Sequence, residues 1–287
     1  ERFDQIVDEA NEKIAEGEID WDTKTEISDY AYDISANEDF SGVGLKKDHE
    51  YKVEDLFRAM VINSDNATTI ALAELVAGTE GEFVKLMNEK AEELGLKDSK
   101  FVNSSGLDNH SLDGNHPEGT KKDDTNLLSA RDAAKLAYHL VTDYPESLET
   151  SKIPEDDFEG HPMTNWNWML THDSLNLKQF YYKGVDGLKT GHTDLAKFAF
   201  TSTAERDGER FITVVMRTDS IEERFKETAK LLDYGFEKFE EVELFPQGYQ
   251  DQSLVAPVAK GKEEQLELEL AEALSLKIRK GTEDDYS

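Results

Sequence analysis

Two short polar strings have residue types that could do chemistry. Ser64-Asp65-Asn66 lies in a polar break between two apolar stretches, where a hydroxyl and an amide would be held by buried elements on both sides. Ser-x-Asn also occurs at Ser35/Asn37 and Ser174/Asn176, so position and not the string singles out Ser64. The same residues would also serve as an N-cap for a helix beginning at Ala67. Lys189-Thr190-Gly191 occurs once. A Lys beside a hydroxyl on a strand, followed by a Gly that lets a ligand approach the backbone, suits a carboxylate; taken singly it also reads as a turn.

Other polar groupings carry less. Asp108, His110, Asp113 and His116 share one loop, but their spacing fits no helical ligand pair, and a solvated loop without metal is expected. The chain has no cysteine, which removes disulfides, thiol nucleophiles and thiolate metal sites together. No cofactor is expected.

In this order, and about 120 residues apart, the two strings are similar to the S-D-N and K-T-G elements of active-site serine acyl transferases. The likeness extends to Ile70-Ala-Leu-Ala-Glu-Leu-Val-Ala-Gly78, Phe83-Val-Lys-Leu-Met-Asn88, Glu93-Leu-Gly-Leu-Lys97, Phe101-Val-Asn-Ser-Ser-Gly-Leu107, His116-Pro-Glu-Gly119 and Val185-Asp-Gly-Leu-Lys-Thr-Gly191. With these segments in order, the chain resembles the serine D-alanyl-D-alanine carboxypeptidases, the low-molecular-mass penicillin-binding proteins that trim peptidoglycan stem peptides. The resemblance runs from about Glu18 to Phe239 and more faintly beyond.

It implies a mechanism in which the Ser of a Ser-x-x-Lys motif attacks the carbonyl between two D-alanines and the Lys takes its proton. It further implies that Ser64 relays a proton toward the leaving D-Ala, that Asn66 holds the peptide backbone, and that Lys189 and Thr190 bind the terminal carboxylate. Gly191 would let substrate lie along the strand edge, and His192 stands where the family commonly has Ser or Thr. The implied partners are stem peptides ending in D-Ala-D-Ala, with β-lactams as inhibitors, outside the cell membrane. No Ser-x-x-Lys occurs in the 287 residues. The family places that motif before the region resembling Glu18-Ile19-Asp20-Trp21, so the chain is expected to be a fragment lacking it and most of a C-terminal domain, and to be inactive alone. The competing reading is a complete, non-catalytic module that binds stem peptides or β-lactams. A β-lactamase is disfavoured, since His172 stands where the Glu of a Glu-x-x-Leu-Asn pattern would precede Leu175-Asn176.

The elements that must position these residues follow from periodicity. Helical spacing of apolar residues predicts helices over Phe3 to Ile14, Val53 to Ile62, Ala67 to Ala77, Gly81 to Leu94, Ala130 to Thr142 and Ile221 to Phe239. Lys197 to Ala204 and Phe211 to Arg217 read as an antiparallel hairpin, with Tyr181 to Thr190 leading into or forming a strand beside it. Helices first, then a sheet, then a closing helix predict an α+β fold, and the resemblance implies that it is of the β-lactamase and D,D-peptidase kind, an antiparallel sheet flanked by helices. Alternating Leu266, Leu268, Leu270 and Leu276, Ile278 predict β structure after Glu241, so 1–240 and 241–287 are expected to be a peptidase-like domain and the start of a small β domain.

Composition bounds the partners. With 32 Lys and Arg against 63 Asp and Glu the net charge is −31, spread along the chain without a basic cluster. Such a surface repels polyanions, so no nucleic-acid partner is expected and binding to an anionic membrane surface is disfavoured. Acidity of this kind is read as adaptation to high salt; the resemblance implies a secreted protein, acting in the cell wall or at the outer face of the cell membrane, and a monomer is expected.

Overall fold

In a computed structural model, residues 19–112, 114–251, 255–259 and 265–286 are described. The helix expected over Phe3 to Ile14, and Asp113, lie outside them.

The helices are α1 (Asp29–Ser35), α2 (Val53–Arg58), α3 (Asn66–Ala77), α4 (Glu80–Glu93), α5 (Ala130–Asp143), α6 (Ser147–Ser151) and α7 (Ile221–Lys238). Side-chain caps set where several of them start. Ser28, Asp65, Thr79, Ser129 and Ser220 each accept a hydrogen bond from a backbone N–H in the first turn that would otherwise have no partner. The cap of α3 is therefore Asp65 and not Ser64. Every residue of α3 from Asn66 to Ala73 is buried, so this helix has no polar face and forms the axis of the main core. Leu56, Ile62, Phe83, Met87, Leu136 and Leu140 pack around it.

Nine strands form two-stranded ladders or hairpins in the first part of the chain and the main sheet. They are β1 (Lys24–Glu26), β2 (Glu50–Lys52), β3 (Ser99–Lys100), β4 (Leu127–Leu128), β5 (Glu155–Phe158), β6 (His161–Thr164), β7 (Val185–Thr193), β8 (Lys197–Arg206) and β9 (Glu209–Thr218). The main sheet has the order β7-β8-β9, antiparallel throughout, with Lys189 opposite Thr201 and Thr201 opposite Val214. Asp207-Gly208 joins β8 to β9, both at positive φ (54° and 84°), the two-residue turn whose twist matches the flanking strands. Ala199 to Ala204 are buried without interruption because both sheet faces are covered. On one face Phe200, Ala204, Phe225, Leu232 and Met169 form a second core under α7. There Gly235 lets the helix approach closely, since a Cβ would lie 2.9 Å from the Phe211 ring.

The expected α+β architecture is the one observed. Three boundaries differ from the periodicity reading. The stretch after Val53 is α-helical only to Arg58 and continues as a π-turn over Ala59–Asn63. Phe239 leaves the α7 stripe to open β10 (Phe239–Phe245). The residues from Tyr181 form a turn, and the strand begins at Val185. Beyond β10 come β11 (Val255–Pro257), β12 (Gln265–Glu267) and β13 (Leu274–Arg279), paired β10-β13 and β11-β12. This tail is tied to the rest where the Glu241 N–H donates to Glu209 at 2.9 Å and Lys280 donates to the Phe236 carbonyl at 3.0 Å.

Candidate active site

The π-turn and the residue after it aim Ser64. The wider turn over Ala59–Asn63 ends at Ser64, which takes left-handed backbone angles (φ 58°, ψ 37°). A non-glycine residue there costs about 1 to 2 kcal/mol, and such strain concentrates at functional sites. Neighbouring contacts hold it in place. Asp65, 1% exposed, accepts from Val43 N–H at 2.6 Å and Thr68 N–H at 2.7 Å, and Asn66 N–H donates to the Ser41 carbonyl at 3.1 Å. The 41–43 loop and the start of α3 are thereby fastened together. Burial pushes the Asp65 carboxyl up, against the lowering effect of those hydrogen bonds.

Lys189 comes from the other side, on edge strand β7. Its Nζ donates to Ser64 Oγ at 2.7 Å and to the Thr190 carbonyl at 3.2 Å, and only 9% of the residue is exposed. A buried ammonium within hydrogen-bond distance of a hydroxyl can polarise it or pass a proton through it. Asn66 donates from Nδ2 to the Ser105 carbonyl at 3.4 Å.

Ser64, Asn66, Lys189, Thr190, Gly191 and His192 all line one cleft of about 770 Å³, so all six sequence-derived positions come together. At Gly191 an added Cβ would meet open space, which leaves the strand edge accessible to a ligand. His192 is exposed and stacks on Phe198 with ring centroids 4.3 Å apart. The acidic loop residues behave differently. Asp108 accepts from Thr125 at 2.7 Å, His116 pairs with Thr120 at 3.1 Å, and among the described residues no three His, Asp or Glu side chains converge on a metal position.

Two cleft residues escape the sequence reading. Arg224 on α7 is 2% exposed, donates to the carbonyls of Gly191 at 3.2 Å and Ala199 at 3.4 Å, and has no carboxylate partner among the described residues. Desolvation alone lowers it to about 10. The signal was its place on the inward stripe between Ile221 and Phe225, where a charge is expensive unless it is used. Trp166 lies in the segment after β6 and also faces the cleft.

Lysine-bound Ser64 thus precedes the cap of α3 and faces a strand edge backed by a buried arginine. The family model described as D-alanyl-D-alanine carboxypeptidase, Peptidase_S11, fits residues 5–220. The chain belongs to this family. Across 272 residues it is 31% identical to the D-alanyl-D-alanine carboxypeptidase DacF of Bacillus subtilis (strain 168), covering 94% of the chain and 63% of that protein. The structure of a peptidoglycan synthesis regulatory factor (PBP3) from Streptococcus pneumoniae superposes with a TM-score of 0.82 at 36% identity, covering 98% of this chain and 77% of that one. Penicillin-Binding Protein D2 from Listeria monocytogenes, solved in a cefotaxime-bound form, gives 0.67 at 28% identity, covering 82% and 85%. The family resemblance, and the α+β fold of the D,D-peptidase kind expected with it, are thus borne out. The chain spans less than two thirds of the length of the DacF relative. No helix among the described residues is long and apolar enough to cross a membrane.

Proposed function

We propose that this cleft recognises peptidoglycan stem peptides ending in D-Ala-D-Ala, as the substrate site of a serine-type D,D-carboxypeptidase. The observation that carries the reading is the 2.7 Å contact from Lys189 to Ser64 inside a cleft that also holds Asn66 and Arg224. In this reading the terminal carboxylate sits against Lys189 and Thr190. Arg224 beneath Gly191 adds positive potential without reaching solvent. Ser64, held by Lys189, faces the nitrogen of the D-Ala-D-Ala peptide bond, the position from which a proton would pass to that nitrogen once a nucleophile attacks the carbonyl. Asn66 holds the peptide amide, the edge of β7 at Gly191 pairs with its backbone, and His192 walls the strand end with Phe198. β-Lactams would enter the same cleft, a reading supported by the cefotaxime-bound relative. Every residue lining the cleft precedes position 240, so 1–240 is assigned as the peptidase-like unit and 241–287 as a β-rich one.

Acyl transfer also requires a serine activated one helical turn from a lysine, and the 287 residues contain no Ser-x-x-Lys. These residues are therefore assigned binding without turnover: no D-Ala release and no labelled band with a fluorescent penicillin after denaturation. The setting that fits the substrate is the cell-wall space outside the membrane, and the charge of −31 supports a monomer adapted to high salt. Calorimetry tests the reading. Diacetyl-L-Lys-D-Ala-D-Ala should bind, and the L-Ala-L-Ala peptide should not; equal heats for both would overturn it.

A further inference from the structure

Trp166 is placed as a fixed wall beside Ser64. The chain on either side of it is held by two buried asparagines. Asn165 donates from Nδ2 to the carbonyls of Ser151 at 3.2 Å and Ile153 at 2.8 Å, and its Oδ1 accepts from Asn167 N–H at 2.9 Å; Asn167 Oδ1 in turn accepts from Met169 N–H at 3.1 Å. Trp168, two residues on, turns into the core against Phe180 and Phe225. Trp166 turns the other way, into the cleft, and is 40% exposed. Its single polar hydrogen is already used, because Nε1 donates to the carbonyl of Asn63 at 3.2 Å. What remains open to the cleft is an apolar ring face, anchored to the residue that precedes Ser64.

Leaving such a face in water is unfavourable, and its rigid tethering means that a ligand pays little to order it. An apolar group suits that face, since the indole offers no further donor. Resting on the proposed reading, in which Ser64 faces the departing amine and Lys189 the terminal carboxylate, the nearest part of the ligand is the side chain of its last residue. We propose that Trp166 is a specificity-determining residue that packs against the side chain of the C-terminal D-amino acid, so that the cleft favours larger apolar D-residues at that position. The cleft volume of about 770 Å³ leaves room for a side chain longer than a methyl.

The test is calorimetry on diacetyl-L-Lys-D-Ala peptides ending in Gly, D-Ala and D-Leu. Affinity should rise in that order, with D-Leu roughly three- to tenfold tighter than Gly. Trp166→Ala should bring the three within about twofold of one another, and Trp166→Phe, which keeps a ring, should retain the order. Should Trp166→Ala not fold, fluorescence decides: the D-Leu peptide should change tryptophan emission in the unaltered chain and not in Trp166→Phe. A flat series in the unaltered chain, a gradient that survives Trp166→Ala, or an emission change that persists in Trp166→Phe overturns the inference while leaving D-Ala-D-Ala recognition intact. Binding of none of the peptides overturns the reading of the cleft, and this inference with it.

Discussion

Lys189 and Ser64, 125 residues apart in sequence, meet at 2.7 Å across the cleft, one from a strand edge and the other from the end of a π-turn. Neither element depends on this contact for its own regular hydrogen bonding. The strand is held by its ladder to β8, and the helix that follows Ser64 is capped by Asp65. The pair is thus available to a ligand.

Removing the ammonium should therefore cost binding more than stability. Lys189→Ala is expected to weaken binding of diacetyl-L-Lys-D-Ala-D-Ala by about 1.5 to 3 kcal/mol, the worth of a hydrogen bond to a charged group. Calorimetry measures the loss, and an unchanged affinity would take Lys189 out of the site.

Arg224 should behave as a buried cation kept for use. Desolvation disfavours its charged form, lowering it to about 10, and no carboxylate among the described residues offsets that cost. Replacing such a charge with an apolar side chain of similar volume is often neutral for folding. Arg224→Met is expected to change unfolding free energy by no more than about 2 kcal/mol, because the two carbonyl hydrogen bonds it forfeits are offset by the relief of a buried charge. Peptide affinity should fall about tenfold, the consequence of lost attraction for the carboxylate worth about 1.4 kcal/mol. Urea unfolding and calorimetry on the same variant separate the two effects.

The long helices and the β8–β9 hairpin were legible because apolar patterning and turn chemistry agreed: α3 carries a dense apolar run from Ile70 to Ala77 between Asp65 and Gly78, and Asp207-Gly208 is a strong hairpin signal. The cleft strings were legible as a pair because their order and context matched a family. The β5–β6 hairpin was not, since Glu155-Asp-Asp-Phe158 has no apolar alternation and its turn rests on Glu159 and Gly160 at positive φ. Arg224 was hidden inside an amphipathic stripe, because spacing reports which face is inward and not what a charge on that face is for. Trp166 was hidden for a related reason: Trp166 and Trp168 alternate between cleft and core, and composition alone does not distinguish them.

Stability should depend on pH in a direction set by buried carboxyls. Burial raises Asp65 above its ordinary 3.8 and Glu74 and Glu80 above their ordinary 4.5. The folded chain then binds more protons than the unfolded chain, so stability is greatest on the acid side of this window. It is lost as pH climbs from the ordinary values through the raised ones. Glu80 accepts from Ser104 N–H at 2.8 Å and from Ser104 Oγ at 2.6 Å, bonds that a Gln can keep through its carbonyl. Glu80→Gln should flatten the slope of melting temperature against pH, measured in about 1 M NaCl to screen the surface charge. An unaltered slope would count against this assignment.

Salt should stabilise the chain. At −31 the surface charges repel, and screening shortens their reach from about 10 Å at 0.1 M to about 3 Å at 1 M ionic strength. Melting temperature is expected to rise across that range. A flat or falling trend would argue against salt adaptation.

The most direct measurement is a crystal structure of the chain with diacetyl-L-Lys-D-Ala-D-Ala bound. The account predicts the terminal carboxylate within hydrogen-bond distance of Lys189 and Thr190 and the last peptide nitrogen facing Ser64 Oγ. It also predicts the peptide backbone along the edge of β7 at Gly191, with Asn66 donating to it. A peptide bound outside this cleft, or one lying in it with its carboxylate turned away from Lys189, would contradict the account.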